Sequence, residues 1–174
     1  MWAKSLGSAE LALVLVACLG ASLCCSHAQE PPAQPPAPCT SAEPLRVAVR
    51  ASPRINPGET GEALATVVRL YQLKTTTKLS GLSFDDLVDH ERDALGDDFI
   101  NVQEVTVNPG ERVTPPMIRN PDAGYLAAAA LFREPTGVGW RAFVKLSPPD
   151  PQHCHHDQTA VVQYLLDENR IELR

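Results

Sequence analysis

The sequence predicts an all-β domain, an antiparallel sandwich of about eight short strands with one inserted helix. Three observations carry that expectation. Short runs of β-branched, aromatic and alternating apolar residues recur between residues 45 and 173. Turn sequences such as Asn108-Pro109-Gly110-Glu111 and Asp167-Glu168-Asn169 separate them. Helical spacing is confined to one segment, residues 84–95.

The elements follow in order. Residues 45–51 alternate apolar side chains with arginine or alanine, the period-2 pattern of a half-buried strand. Residues 52–61, Ser-Pro-Arg-Ile-Asn-Pro-Gly-Glu-Thr-Gly, are dense in turn formers and read as a loop. A second strand over residues 65–74 contains Val67-Val68-Arg69-Leu70-Tyr71-Gln72-Leu73-Lys74, a core strand with a polar edge, ended by the polar turn 75–78. Ser83 is placed to cap the helix, with Asp85 and Asp86 in the first turn, where the helix dipole favours negative charge. Phe84, Leu87, Val88, Glu91 and Leu95 follow helical spacing, so one face is expected to be apolar, and Gly96 is a C-terminal stop. Strands are then expected at 99–107, 112–118 and 125–132, the last nearly all small or apolar, as in a strand buried on both faces. Strands at 140–146, 160–166 and 170–173 complete the set.

With 174 residues the chain has room for one ordinary domain plus accessory segments. A hydrophobic content of 44% supports a core. A net charge of −6 and no basic run argue against a nucleic-acid partner. The N-terminus carries Lys4, an apolar run over 11–16 and an interruption by Gly20 and Ser22, too short to span a bilayer and suited to an export signal. Two cleavage sites compete. Leu15-Val16-Ala17-Cys18 has the form of a lipobox, in which Cys18 is acylated; Ser26-His27-Ala28 suits ordinary signal peptidase and a soluble periplasmic product. The lipobox reading divides the chain into a signal peptide at 1–17, a Pro-rich tether at 18–44 and a sandwich at 45–174. Proline-rich sequence such as 29–44 favours extended polyproline II, with a reach of about 50 Å.

Five cysteines are present. Cys39 and Cys154 lie outside the apolar N-terminal segment, and an oxidising compartment favours a bond between them. Closing so long a loop would contribute about 4–5 kcal/mol in the chain-entropy model. His153-Cys154-His155-His156-Asp157 has the atoms of a zinc or copper site. Neighbouring residues on a strand point to opposite faces, however, and oxidation of Cys154 would remove its thiolate. A solvated loop is the expected reading, with no metal or other cofactor. His90 has no partner nucleophile, and Asp85, Asp86, Asp97 and Asp98 sit in a helix cap and a polar loop. Nucleotide-binding glycine loops, GxSxG elbows and HExxH helices are absent, so no catalytic residue is assigned.

An ordered set of segments resembles the TssJ lipoprotein family of type VI secretion. It comprises Ala51-Ser52-Pro53-Arg54-Ile55-Asn56-Pro57, Val68 to Lys74, Phe84-Asp85-Asp86-Leu87 with Leu95-Gly96-Asp97-Asp98, Asn108-Pro109-Gly110-Glu111, Ala130-Leu131-Phe132-Arg133 and Trp140-Arg141-Ala142. The resemblance implies a transthyretin-like sandwich held by lipid at the periplasmic face of the outer membrane. It also implies binding to the periplasmic C-terminal domain of TssM and, through it, association with TssL. The family's partner contact falls on the loop between the first two strands. Here that loop is expected to expose Arg54, Ile55, Asn56 and Glu59 around Pro57. A second contact through Asp86, Asp89 or Arg92 stays open. The rival reading is a soluble periplasmic sandwich that binds a ligand or metal through the histidine-rich loop.

Overall fold

The computed structural model describes residues 44–148 and 161–174. Among these, two sheets face each other. The first contains β1 (Pro44–Ala51), β4 (Arg112–Val113), β5 (Pro116–Ile118), β8 (Val162–Asp167) and β9 (Arg170–Leu173). Its order is β4-β1-β8-β9, with β5 also paired to β1. The second contains β2 (Thr66–Leu73), β3 (Phe99–Val107), β6 (Tyr125–Ala130) and β7 (Arg141–Lys145), in the order β3-β2-β6-β7. The sandwich is therefore the one the strand pattern predicts.

Three local departures have physical causes. The expected strand at 112–118 is split, yet both halves keep the same antiparallel register on β1: Val49 faces Val113 and Leu45 faces Met117. Pro115 and Pro116 interrupt it because proline has no N–H to donate to the ladder. β8 runs parallel to β1, with Val47 beside Val162. The chain reaches β8 from the other sheet, so no hairpin dictates its direction. The threonine-rich turn after β2 continues into a short helix, α1 (Thr77–Gly81), which buries Leu79.

Helix α2 (Phe84–Leu95) begins as its sequence dictates, with the Ser83 hydroxyl accepting from the Asp86 N–H at 3.1 Å. It ends at Gly96, whose φ of 51° is costly for residues with a Cβ. It bends at His90, which is exposed and has φ −133°. Leu87 and Leu95 are fully buried on its inner face.

The position of β2 corrects the expectation of a polar edge. It lies between β3 and β6, paired to both. Alternation sends Thr66, Val68, Leu70 and Gln72 toward the facing sheet and Arg69, Tyr71 and Leu73 toward α2. Both faces are covered, which is why apolar and polar residues do not alternate along the run and even its polar members are largely buried. Its polar side chains are internal ties. Gln72 donates to the Ile118 carbonyl at 2.7 Å and accepts from the Asn120 N–H at 2.6 Å, linking the sheets. Tyr71 donates to Glu91 of α2 at 2.8 Å. β6 is alanine-rich and buried from Leu126 to Ala130. Just before it, Gly124 passes so close to β2 that a Cβ would lie 2.6 Å from the Lys74 carbonyl oxygen. The sandwich interior is completed by Val49, Tyr164 and Leu166 of the first sheet, with the Tyr164 hydroxyl bonded to the Leu126 carbonyl at 2.9 Å.

Candidate functional site

The candidate site is the loop between β1 and β2. Its backbone is held from several directions. The Asn56 N–H donates to the Glu168 carbonyl at 2.8 Å, and Leu64 N–H donates to the Ile55 carbonyl at 3.2 Å. Gly58 N–H donates to the Glu62 carbonyl at 2.8 Å, and Pro57 bridges to Ala63. Such closure makes a compact surface loop with a fixed shape.

The five residues expected at the partner surface divide into two groups. Ile55 is 0% exposed and Asn56 5%, so the expectation that the loop displays both is corrected. Ile55 is turned inward as part of the core. Asn56 adopts φ 47°, a left-handed conformation that asparagine tolerates better than most residues. Its amide donates to the Ala65 carbonyl at 3.2 Å, and its side-chain oxygen accepts from the Arg133 N–H at 2.7 Å. These two residues fasten the loop. Pro57 is half-buried, whereas Arg54 and Glu59 are exposed.

Arg54 and Glu59 each have a partner distant in sequence. Arg54 bonds to both oxygens of Asp167, at 3.0 and 3.2 Å, and approaches Glu168 at 3.8 Å. The Ser52 hydroxyl also donates to Asp167 at 2.5 Å. Glu59 pairs with Arg133. The loop, the β8–β9 turn and the segment after β6 thus form one charged crest. Asp167, Glu168 and Arg133 are the members that sequence reasoning left out. The turn and the Phe132-Arg133 motif were both visible, but nothing local announced that they meet residues 54 and 59.

Exposed ion pairs of this kind contribute only about 0–1 kcal/mol. They can be exchanged for partner contacts at little cost while Ile55 and Asn56 keep the backbone in place. Hydrogen bonding from Ser52, followed by the Arg54 charge, holds the Asp167 carboxyl below its ordinary range. A carboxylate lowered in the folded state lends its stability above the unfolded value, near 4, and loses it as pH falls through the folded one. The Ser52–Asp167–Arg54 clamp is therefore complete at neutral pH and opens only below about pH 4. Exchange protection of the Arg54 amide, which donates to the Ser52 hydroxyl at 3.1 Å, reports it. Protection should hold from neutral pH down to about 5 and fall below 4; loss near pH 6 would assign the control to another group.

The helix alternative, Asp86, Asp89 and Arg92, is exposed on α2. Asp86 is bonded to the Ser83 hydroxyl, and Arg92 lies over the Phe99 ring at 5.0 Å. Cys18, Cys39 and Cys154 and the cluster His153, His155, His156 and Asp157 lie outside the described residues, as do the signal and tether segments. Among the described residues, no three His, Cys, Asp or Glu side chains are grouped as metal ligands.

The described architecture is a two-sheet β-sandwich whose loop between β1 and β2 is fastened by backbone hydrogen bonds and presents paired surface charges. The chain belongs to the type VI secretion lipoprotein family (T6SS-SciN: VasD, EvfM, TssJ, VC_A0113), whose model matches residues 43–169. Its fold is similar to that of the T6SS lipoprotein TssJ1 from Pseudomonas aeruginosa, at 21% identity and a TM-score of 0.63, over 77% of this chain and 98% of that one. A chain of the structure described as a type VI membrane complex is 25% identical, with a TM-score of 0.65, over 77% of this chain and 99% of its own. A chain of the structure described as the T6SS protein TssM C-terminal domain from EAEC is 26% identical, with a TM-score of 0.61, over 76% and 98%. No curated protein is recognisably similar in sequence.

Proposed function

We propose that this protein is a structural, non-catalytic lipoprotein that ties the type VI secretion membrane complex to the outer membrane. The observation that carries the reading is the family match across residues 43–169, which covers every strand of the sandwich except β9 and includes the candidate loop. Residues 1–17 serve as the export signal, Cys18 takes the lipid, and residues 18–44 are the tether to the domain at 45–174. The domain faces the periplasm. Its crest of Arg54, Pro57 and Glu59, supported from beneath by Ile55 and Asn56, receives the periplasmic C-terminal domain of TssM, and TssL is joined through TssM. The likeness to a chain of a structure described by the TssM C-terminal domain supports this choice of partner. Cys39 bonded to Cys154 would fix the tether's end to the domain.

The anchor is tested by labelling growing cells with radioactive palmitate. The wild-type chain should incorporate label and fractionate with the outer membrane, and Cys18→Ala should lose both. A chain that is never labelled and is recovered in the soluble periplasm would overturn the anchor in favour of cleavage after Ala28.

A further inference from the structure

The outer face of the first sheet carries a concentration of cations that the crest does not use. On β1, Arg46 and Arg50 are exposed between the buried inward residues Leu45, Val47, Val49 and Ala51, so they point away from the sandwich, and the small Ala48 between them is itself buried. Arg112 of β4 lies directly opposite Arg50, and Arg174, whose N–H bonds to the Gln163 carbonyl at 2.9 Å, extends the face beyond β9. Among the described residues, the carboxylates on this face are Glu172, beside Leu165, and Asp167, beside Arg170 and already held by Arg54.

Three of these arginines differ from the paired ones elsewhere, whereas Arg46 has a partner of its own. Arg69 and Arg133 are paired with carboxylates, Arg141 donates to the Leu82 and Ser80 carbonyls, and Arg92 covers Phe99. Among the described residues, Arg50, Arg112 and Arg174 have no such partner. Like charges directly opposite on a sheet repel, so the Arg50–Arg112 pair works against folding. A chain of net charge −6 nevertheless concentrates them on one face.

We propose that this face lies against an anionic phospholipid surface. Three features select that occupant. Arg112 on β4, Arg50 on β1 and Arg174 beyond β9 are spread across the strands of the sheet, which suits a planar array of anions better than one bound ion. Arginine forms bidentate bonds to phosphate oxygens. The chain enters the domain at Pro44, on the strand that bears Arg46 and Arg50, and Ile118, 56% exposed, is directly opposite Pro44. An exposed apolar side chain at the entry point, on the sheet that bears Arg50, Arg112 and Arg174, is the composition of a surface that rests on headgroups. The proposal rests on the lipoprotein reading for what brings the domain to lipid. It adds which face is turned to the membrane.

The acylated full chain is placed on phosphatidylcholine vesicles and on vesicles with about one third phosphatidylglycerol, and arginine modification by phenylglyoxal is followed by mass spectrometry. Arg50, Arg112 and Arg174 should react at least about threefold more slowly on the anionic vesicles, with the difference abolished near 1 M salt. Arg92, exposed on α2 over the other sheet, should be unaffected. A double Arg50→Glu, Arg112→Glu variant, altered only at exposed positions, should bring the Arg174 rate on anionic vesicles to its neutral-vesicle value. Equal rates on both vesicles, with the chain bound to both, overturn the proposal and leave the anchor standing. Failure to bind neutral vesicles, with protection kept on anionic ones, supports the face and removes the anchor. Protection by polyglutamate but not by vesicles would reassign the face to an acidic protein and overturn the proposal.

Discussion

Tyr71→Ala is expected to cost about 3–5 kcal/mol of folding free energy, enough to unfold much of the protein at physiological temperature. The ring is fully buried between β2 and α2, so truncation removes its packing and leaves a cavity. Its hydroxyl also donates to Glu91 at 2.8 Å. Glu91 is shared with Arg69 at 3.3 Å, and Arg69 reaches Glu104 at 2.7 Å and the Leu87 carbonyl at 3.4 Å. Tyr71→Phe keeps the packing and one of the two contacts to Glu91, so about 1–2 kcal/mol is expected. Arg69→Ala leaves Glu91, whose side chain is 17% exposed, without its cation, and should fall between the two. Urea unfolding of the three variants gives the order. A Tyr71→Ala protein of near-normal stability that no longer bound TssM would make β2 the docking surface and refute its role as the strut beneath α2.

The structural role of these residues explains how much the sequence disclosed. The β2 run announced a strand because β-branched and aromatic side chains fill both of its faces, and Ser83 and Gly96 marked the ends of α2 through local capping chemistry. Local signals of that kind survive folding. The polar members of β2 were harder to place, because an arginine, a tyrosine and a glutamine among aliphatics fit an edge as well as an internal network. Only the placement of Glu91, Glu104, Ile118 and Asn120 decides between them. The parallel β1–β8 pairing joins segments more than one hundred residues apart and has no local signature. The candidate loop divided in the same way. Its turn character was plain from proline, asparagine and glycine. The inward direction of Ile55 was hidden, because it depends on the loop folding back over the sandwich.

Reversing the exposed charges of that loop and removing its fastening should give opposite patterns. Arg54→Glu with Glu59→Lys breaks pairs that contribute only about 0–1 kcal/mol each, so the melting temperature should change little. If the crest meets TssM, the same reversal sets charges against a complementary surface and should weaken binding at least tenfold, about 1.4 kcal/mol or more. Asn56→Ala should behave differently. It places alanine in a left-handed conformation and strips hydrogen-bond partners from the Ala65 carbonyl and the Arg133 N–H, for a loss of about 2–4 kcal/mol. Binding would weaken with it, because the crest would lose its shape although no contacting side chain had been removed. Calorimetric titration with the periplasmic domain of TssM, beside thermal melts of each variant, separates the two effects. Unchanged affinity in the charge-reversed protein would exclude the crest as the TssM contact and turn attention to Asp86, Asp89 and Arg92. Low affinity at an unaltered melting temperature would assign recognition to Arg54 and Glu59, with Ile55 and Asn56 as the support that presents them.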